Sequence, residues 1–240
     1  MPLSVWLAAS MVLTLAATLQ GAVGFGMALV AAPFLALIDA RLVPGPLIVT
    51  STLLTILLSV RERDGMDGRA IGIALIGRVP GSLLGGLVLA SVSRRDLGLL
   101  FGALILAGTA LLAWSPPIRP TPVALTVAGF VSGIMGTSSG IGGPPMALLY
   151  QNEPGPRMRG TLAGYFTLGA VVSLIVLVRS GLFGLDELGD AAALCPPVLL
   201  GHALSKRAAL WLDAGRTRLA VLTTTALAGT LLIVLRFVGR

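Results

Sequence analysis

GIMGTSSGIGGPP, Gly133–Pro145, interrupts a chain otherwise built largely of Leu, Ala, Val and Ile. Seven of its thirteen residues are Gly or Pro and three carry hydroxyls, so neither a regular helix nor a strand is expected to run through it. What such a break does depends on its surroundings. The chain has 240 residues, is 55% hydrophobic and 11% charged, and has a mean hydropathy of +0.95. A water-soluble globule needs more polar surface than this. Apolar stretches recur along the whole length between short loops carrying Arg and Asp, the pattern of a polytopic helical membrane protein, and the period-two alternation of a transmembrane barrel is missing. In hydrocarbon every backbone N–H and C=O needs a partner, so an unwound stretch persists only where protein surrounds it or where it lines a watered cavity.

The net charge of +7 comes from 17 Lys and Arg scattered over short loops, which fits a cytoplasmic positive bias and not a nucleic-acid partner. One cysteine, Cys195, excludes an intramolecular disulfide and a cysteine-only metal site. The start, MPLSVWLAASMVLTLAATLQG, has no Lys or Arg before its apolar run, and reads as the first membrane segment and not a signal peptide.

Helical segments are expected at 3–20, 26–38, 44–60, 70–91, 97–114, 121–134, 144–151, 160–178, 190–212 and 217–236. The second and seventh are too short to cross about 30 Å of hydrocarbon, so they are expected as half-helices paired with their predecessors in re-entrant hairpins. A shift of 112 residues aligns Leu13 with Leu125, Thr14 with Thr126, Gly21 with Gly133, Gly24 with Gly136 and Pro33 with Pro145. PGSLLGG at Pro80–Gly86 likewise parallels PPVLLGH at Pro196–His202. Matching breakers between matching apolar segments point to a duplication. The expected fold is therefore an all-α membrane protein, an inverted repeat of two five-segment halves. It has about eight long helices plus two short half-helices, in one integral membrane domain spanning 1–240 with halves about 1–116 and 117–240. An odd segment count inverts the second half. Arg61, Arg63, Arg69, Arg119, Arg157, Arg159, Lys206, Arg207, Arg216 and Arg218 then share one face, and Arg41, Arg94, Arg95, Arg179, Arg236 and Arg240 the other. The richer face is expected to be cytoplasmic, with both termini outside.

GAVGFG, Gly21–Gly26, is the counterpart break in the first half. Each break ends one half-helix and begins another, and a helix N-terminus inside the membrane offers unpaired N–H groups and an aligned dipole to an anion. Gly24, Phe25, Gly26, Gly136, Gly140, Gly142 and Gly143, with the hydroxyls of Thr137, Ser138 and Ser139, are the candidate substrate-binding residues. The competing reading is that these small residues only let helices pack closely. Arg78 joins the candidates because it lies inside AIGIALIGRVPGSLLGG, where a cation costs about 2.5–3.5 kcal/mol and must face a cavity or partner. It reads as a countercharge whose guanidinium fork suits the oxygens of an anionic substrate, as a cation snorkelling towards an interface, or as a structural donor to carbonyls freed by Pro80. His202, the only histidine, and Tyr150 are candidates for a proton or gating role, against ordinary interfacial ones. All ten carboxylates fall near segment ends, so no buried Asp or Glu is placed to carry a coupling proton or sodium ion.

QGAVGFGMALVAAPFLAL, Gln20–Leu37, together with GFVSGIMGTSSGIGGPPMALLY, Gly129–Tyr150, resembles the paired signatures of the TauE/SafE sulfite exporter family, also called TSUP or DUF81. The resemblance extends over both halves and implies a permease of the bacterial plasma (inner) membrane for sulfite, sulfoacetate or other organosulfonates and related organic anions. Arg78 and His202 depart from the usual family pattern. No metal cluster, Walker lysine or nucleophile–base set is present in the sequence, so an enzyme is not expected, and neither is a cofactor. Expected partners are a small anionic substrate, membrane lipid and, as a candidate, a second copy of the chain in a homodimer. A non-transporting scaffold or an anion channel are the alternative readings.

Overall fold

The computed structural model describes residues 2–93, 96–114, 116, 118–211 and 225–234. Arg94, Arg95, Arg216, Arg218, Arg236, Arg240 and half of the expected segment 217–236 lie outside them. Among the described residues the chain is helical without strands: α1 (Leu3–Val23), α2 (Met27–Ile38), α3 (Gly45–Arg61), α4 (Gly68–Ser91), α5 (Leu97–Trp114), α6 (Pro122–Ser139), α7 (Gly143–Tyr150), α8 (Gly155–Arg179), α9 (Leu185–Ala193), α10 (Cys195–Trp211) and α11 (Thr225–Val234). Five of these, α1, α4, α5, α6 and α8, are long and apolar enough to cross a membrane. The chain is thus a multi-pass integral membrane protein.

Two expected boundaries are corrected. α6 does not stop near residue 134 but continues through Gly136, Thr137, Ser138 and Ser139, so the second break is only Gly140–Gly142. The expected helix 190–212 is divided at Leu194 into α9 and α10, with Pro196 and Pro197 in the first turn of α10, where their missing N–H groups cost no ladder bond.

The reason α6 persists lies across its interface with α4, the most extensive helix pair of the fold. Gly77, Gly81 and Gly85 recur every four residues on α4 and lie directly against the carbonyls of Thr126, Phe130 and Ile134 on α6. Gly129 and Gly133 of α6 reciprocate against the backbone of Ala74 and Arg78. With no Cβ between them the two backbones touch, and this close packing replaces the hydrophobic drive that lipid cannot supply. Tertiary contact outweighs the low helix propensity of the GIMGTSSG run. α1 packs on α10 in the same manner, with Gly201 against the Thr14 carbonyl and Thr18 Oγ1 donating to the Gly201 carbonyl at 3.2 Å. α3 packs along α8, where Thr167 Oγ1 donates to Thr55 Oγ1 at 3.0 Å.

One end of the bundle collects charge. Arg159 Nε donates to Glu62 Oε1 at 3.0 Å, Arg61 Nε to the same oxygen at 3.1 Å, and Arg157 bridges Asp67 at 3.0 Å and Glu153 at 3.1 Å. Arg61 also donates to the Gly21 carbonyl at 2.6 Å, tying the end of α1 to this cluster. At the other end Arg41 pairs with Asp39 at 2.8 Å beside α9.

Candidate functional site

Both breaks are made by glycine in the left-handed region. Gly24 (φ 108°) and Gly26 (φ 113°) end α1 and open α2, and Gly140 (φ 80°) ends α6, its N–H returning to the Gly136 carbonyl at 2.9 Å. An L side chain there costs about 1–2 kcal/mol, which fixes the residue type even at Gly26, where nothing stands within 4 Å of an added Cβ. The breaks meet: a Cβ on Gly143 would lie 3.9 Å from the Phe25 ring. Between them is a cavity of about 50 Å³, room for a few waters or one small oxyanion head. Phe25, Gly26, Arg78, Gly136, Gly140, Gly142 and Gly143 line it, so seven of the eleven proposed binding residues are brought together. α3 supplies Ile48, Ser51 and Thr55, and α8 supplies Phe166 and Ala170.

The remaining four stand behind this wall. Gly24 packs on Arg159 of the charged end, 2.7 Å from an added Cβ to Cγ. Thr137, Ser138 and Ser139 are fully buried in the last turn of α6, and their hydroxyls are committed within the protein. Ser138 Oγ donates to the Ile134 carbonyl at 2.6 Å, Ser139 Oγ to that of Met135 at 2.7 Å, and Thr137 Oγ1 shares a 2.8 Å bond with Ser173 Oγ. Tyr150 is fully buried at the end of α7, and His202 is half-buried on α10; neither lines the cavity.

Arg78 is 4% exposed. Its Nη1 donates to the Ser132 carbonyl at 2.8 Å and to Ser132 Oγ at 2.9 Å, and its Nη2 to the Gly169 carbonyl at 3.2 Å and Ser173 Oγ at 2.9 Å. The acceptors belong to α6 and α8 and are not the carbonyls freed by Pro80. Ser132 Oγ in turn donates to the Gly142 carbonyl at 2.6 Å, so the guanidinium supports the second break. Gly136, Gly142 and Gly169 press their Cα atoms on the guanidinium, and any side chain there would occupy its place. Its four Nη hydrogens are spent on neutral oxygens, so the fork is occupied, and among the described residues Nε has no hydrogen-bond partner and no carboxylate lies within 4.0 Å. The guanidinium also stands over the Tyr165 ring, its carbon 5.7 Å from the ring centroid, so neutral oxygens and a ring face meet the charge without cancelling it. A net positive charge beside the cavity is worth a few kcal/mol to an anion at 4–6 Å in a medium of effective dielectric about 20.

Gln20, which is not among the residues expected from the sequence, also belongs to this site. It is 5% exposed, lines the cavity, and its Oε1 accepts the Met27 N–H at 2.8 Å across the first break. A backbone N–H can face only the amide oxygen, so Nε2 is the free end. Gln20 is the one amide in the first apolar segment, four residues before Gly24, and that isolation was the available signal. The starts of the two short helices α2 and α7 also differ. Ala28 and Leu29 present N–H groups with no acceptor among the described residues, whereas Pro144 and Pro145 strip two of three donors from the first turn of α7.

At the charged end, burial pushes the Glu62 carboxyl up, but the hydrogen bond and charge of Arg159, aided by Arg61, outweigh it and hold the group below its ordinary value. Asp67 is held low by the Ala70 N–H and then by Arg157.

The family profile described as sulfite exporter TauE/SafE matches residues 9–232. A probable sulfite/organosulfonate exporter TauE from Cupriavidus necator is 29% identical over 154 residues, an overlap covering 59% of this chain and 59% of that protein. No solved structure matches the chain. Matching across nearly its whole length, the chain belongs to the sulfite exporter TauE/SafE family of membrane transporters, which are not enzymes.

Proposed function

We propose that this chain exports a small anion, sulfite, sulfoacetate or another organosulfonate or related organic anion, through the cavity where the two broken helices meet. The single observation carrying this reading is Arg78: a buried cation with no carboxylate partner among the described residues, at the wall of a cavity lined by helix starts. Its fork being occupied, Arg78 acts through its charge while backbone and side-chain donors make the contacts. Gly24, Thr137, Ser138 and Ser139 shape the site from behind.

Supporting an inverted repeat, with halves about 1–116 and 117–240, is an exchange of partners: α4 of the first half packs on α6 of the second, and α1 of the first on α10 of the second. Such halves rock against each other in alternating access. The charged end faces the cytoplasm by the positive-inside rule, in a plasma membrane. Among the described residues no carboxylate lines the cavity, which favours flux that follows the membrane potential, and that potential expels anions from a negative-inside cell.

The test is uptake of labelled sulfite and sulfoacetate into proteoliposomes with and without an imposed voltage. Voltage-dependent flux is expected, and its absence for every anion tried favours the scaffold reading. In detergent, millimolar sulfite should raise the Tm, because a ligand that binds only the folded chain stabilises it.

A further inference from the structure

We propose that Gln20 is the residue that reads the substrate's oxygens, a donor aimed by the helix it caps. This rests on the cavity being an anion site, and it assigns the recognition to one end of that site. The Met27 N–H takes Oε1 at 2.8 Å, so the amide cannot turn over without setting donor against donor. Nε2 is thereby held toward the cavity, and among the described residues no acceptor meets it. The unpaired N–H groups of Ala28 and Leu29 stand on the same side, at the start of a twelve-residue helix whose dipole adds to them. Three donors converging from α1 and α2 fit the oxygens of a sulfite or sulfonate head. The proline-blocked start of α7 offers one donor only, so the head lies against α2, with the charge of Arg78 drawing it in.

The experiment uses methanesulfonate, whose charge is constant across the working pH range, and reads the half-saturating concentration from the rise in Tm of the detergent-solubilised chain. Gln20→Glu keeps an acceptor for the Met27 N–H, so the cap survives while the donor becomes a negative oxygen. Half-saturation is expected to rise about tenfold or more at neutral pH and to recover as acid protonates the new carboxyl and restores an O–H donor. Gln20→Met, which adds no charge, is the second variant, and its weakened response should be the same at every pH. Wild-type half-saturation in either variant, or a Gln20→Glu loss that acid does not reverse, overturns the assignment of Gln20. A wild-type chain whose Tm responds to neither methanesulfonate nor sulfite overturns the anion site itself.

Discussion

Arg78 Nη1 lies 2.8 Å from the carbonyl oxygen of Ser132, fifty-four residues along the chain, and through Ser132 Oγ it holds the Gly142 carbonyl of the second break. The same side chain therefore carries both the charge beside the cavity and the geometry of its wall, and two substitutions separate these roles. Arg78→Gln removes the charge and most of the donors, so the Tm should fall by the equivalent of about 2 kcal/mol or more and sulfite should no longer raise it. Arg78→Lys keeps the charge but cannot span Ser132 and Ser173 as a planar fork does, so the Tm should fall while the sulfite response survives. A full response in Arg78→Gln would show that the anion does not answer to this charge. Melting curves with and without sulfite measure both quantities.

On α4 a single type of substitution should have opposite signs at two positions. Gly72→Ala places a methyl in open space on a helical backbone and should raise stability by up to about 1 kcal/mol. Gly81→Ala drives a methyl into the Phe130 backbone, parting α4 from α6, and should cost about 1–3 kcal/mol or more. Because Arg78 and Gly81 share one turn of α4, Gly81→Ala should also weaken sulfite binding, which Gly72→Ala should not. Thermal melts of the two variants decide the matter.

The two short helices α2 and α7 were legible because Gly24, Gly26, Gly140 and Pro144 punctuate the apolar runs at their starts. The extent of the second break was not. Gly133 and Gly136 look like breakers, but they are small because α4 and the Arg78 guanidinium lie on them, and that contact spans more than fifty residues of sequence. Arg78 was visible as a cation in an apolar run, but the occupancy of its fork was not, since Ser132, Gly169 and Ser173 come from other helices. Gln20 gains its meaning from Met27 across a break, which neither periodicity nor composition expresses.

Ser138 tests whether the hydroxyls of α6 touch the substrate. Its Oγ is bonded to the Ile134 carbonyl at 2.6 Å and is fully buried, so Ser138→Ala should transport sulfite at the wild-type rate with stability changed by about 1 kcal/mol or less. Ser138→Leu overpacks the same spot and should lower the yield of folded protein, without a selective loss of flux. A stable Ser138→Ala protein with no flux would return the hydroxyl to the list of substrate contacts. Proteoliposome uptake normalised to folded protein distinguishes these results.

The cluster behind Gly24 predicts an acid limb to stability. Glu62 and Asp67 are both held below their ordinary values in the folded chain, so the unfolded chain takes up protons first as pH falls. Their stabilisation is complete above the ordinary carboxylate range and is lost as pH drops from about 5 through the folded-state values. The Asp67 pair is partly solvated and should contribute only about 0.2–1 kcal/mol, with the better-buried Glu62 pair at the upper end. Glu62→Gln should lower the Tm at neutral pH and flatten the acid limb, and Asp67→Asn should do the same more weakly. Since Gly24 rests on Arg159, releasing Arg159 from Glu62 should also loosen the first break, so Glu62→Gln should weaken sulfite binding at neutral pH while Asp67→Asn leaves it unchanged. Equal effects of the two variants on binding would mean that the charged end does not act on the cavity through Gly24.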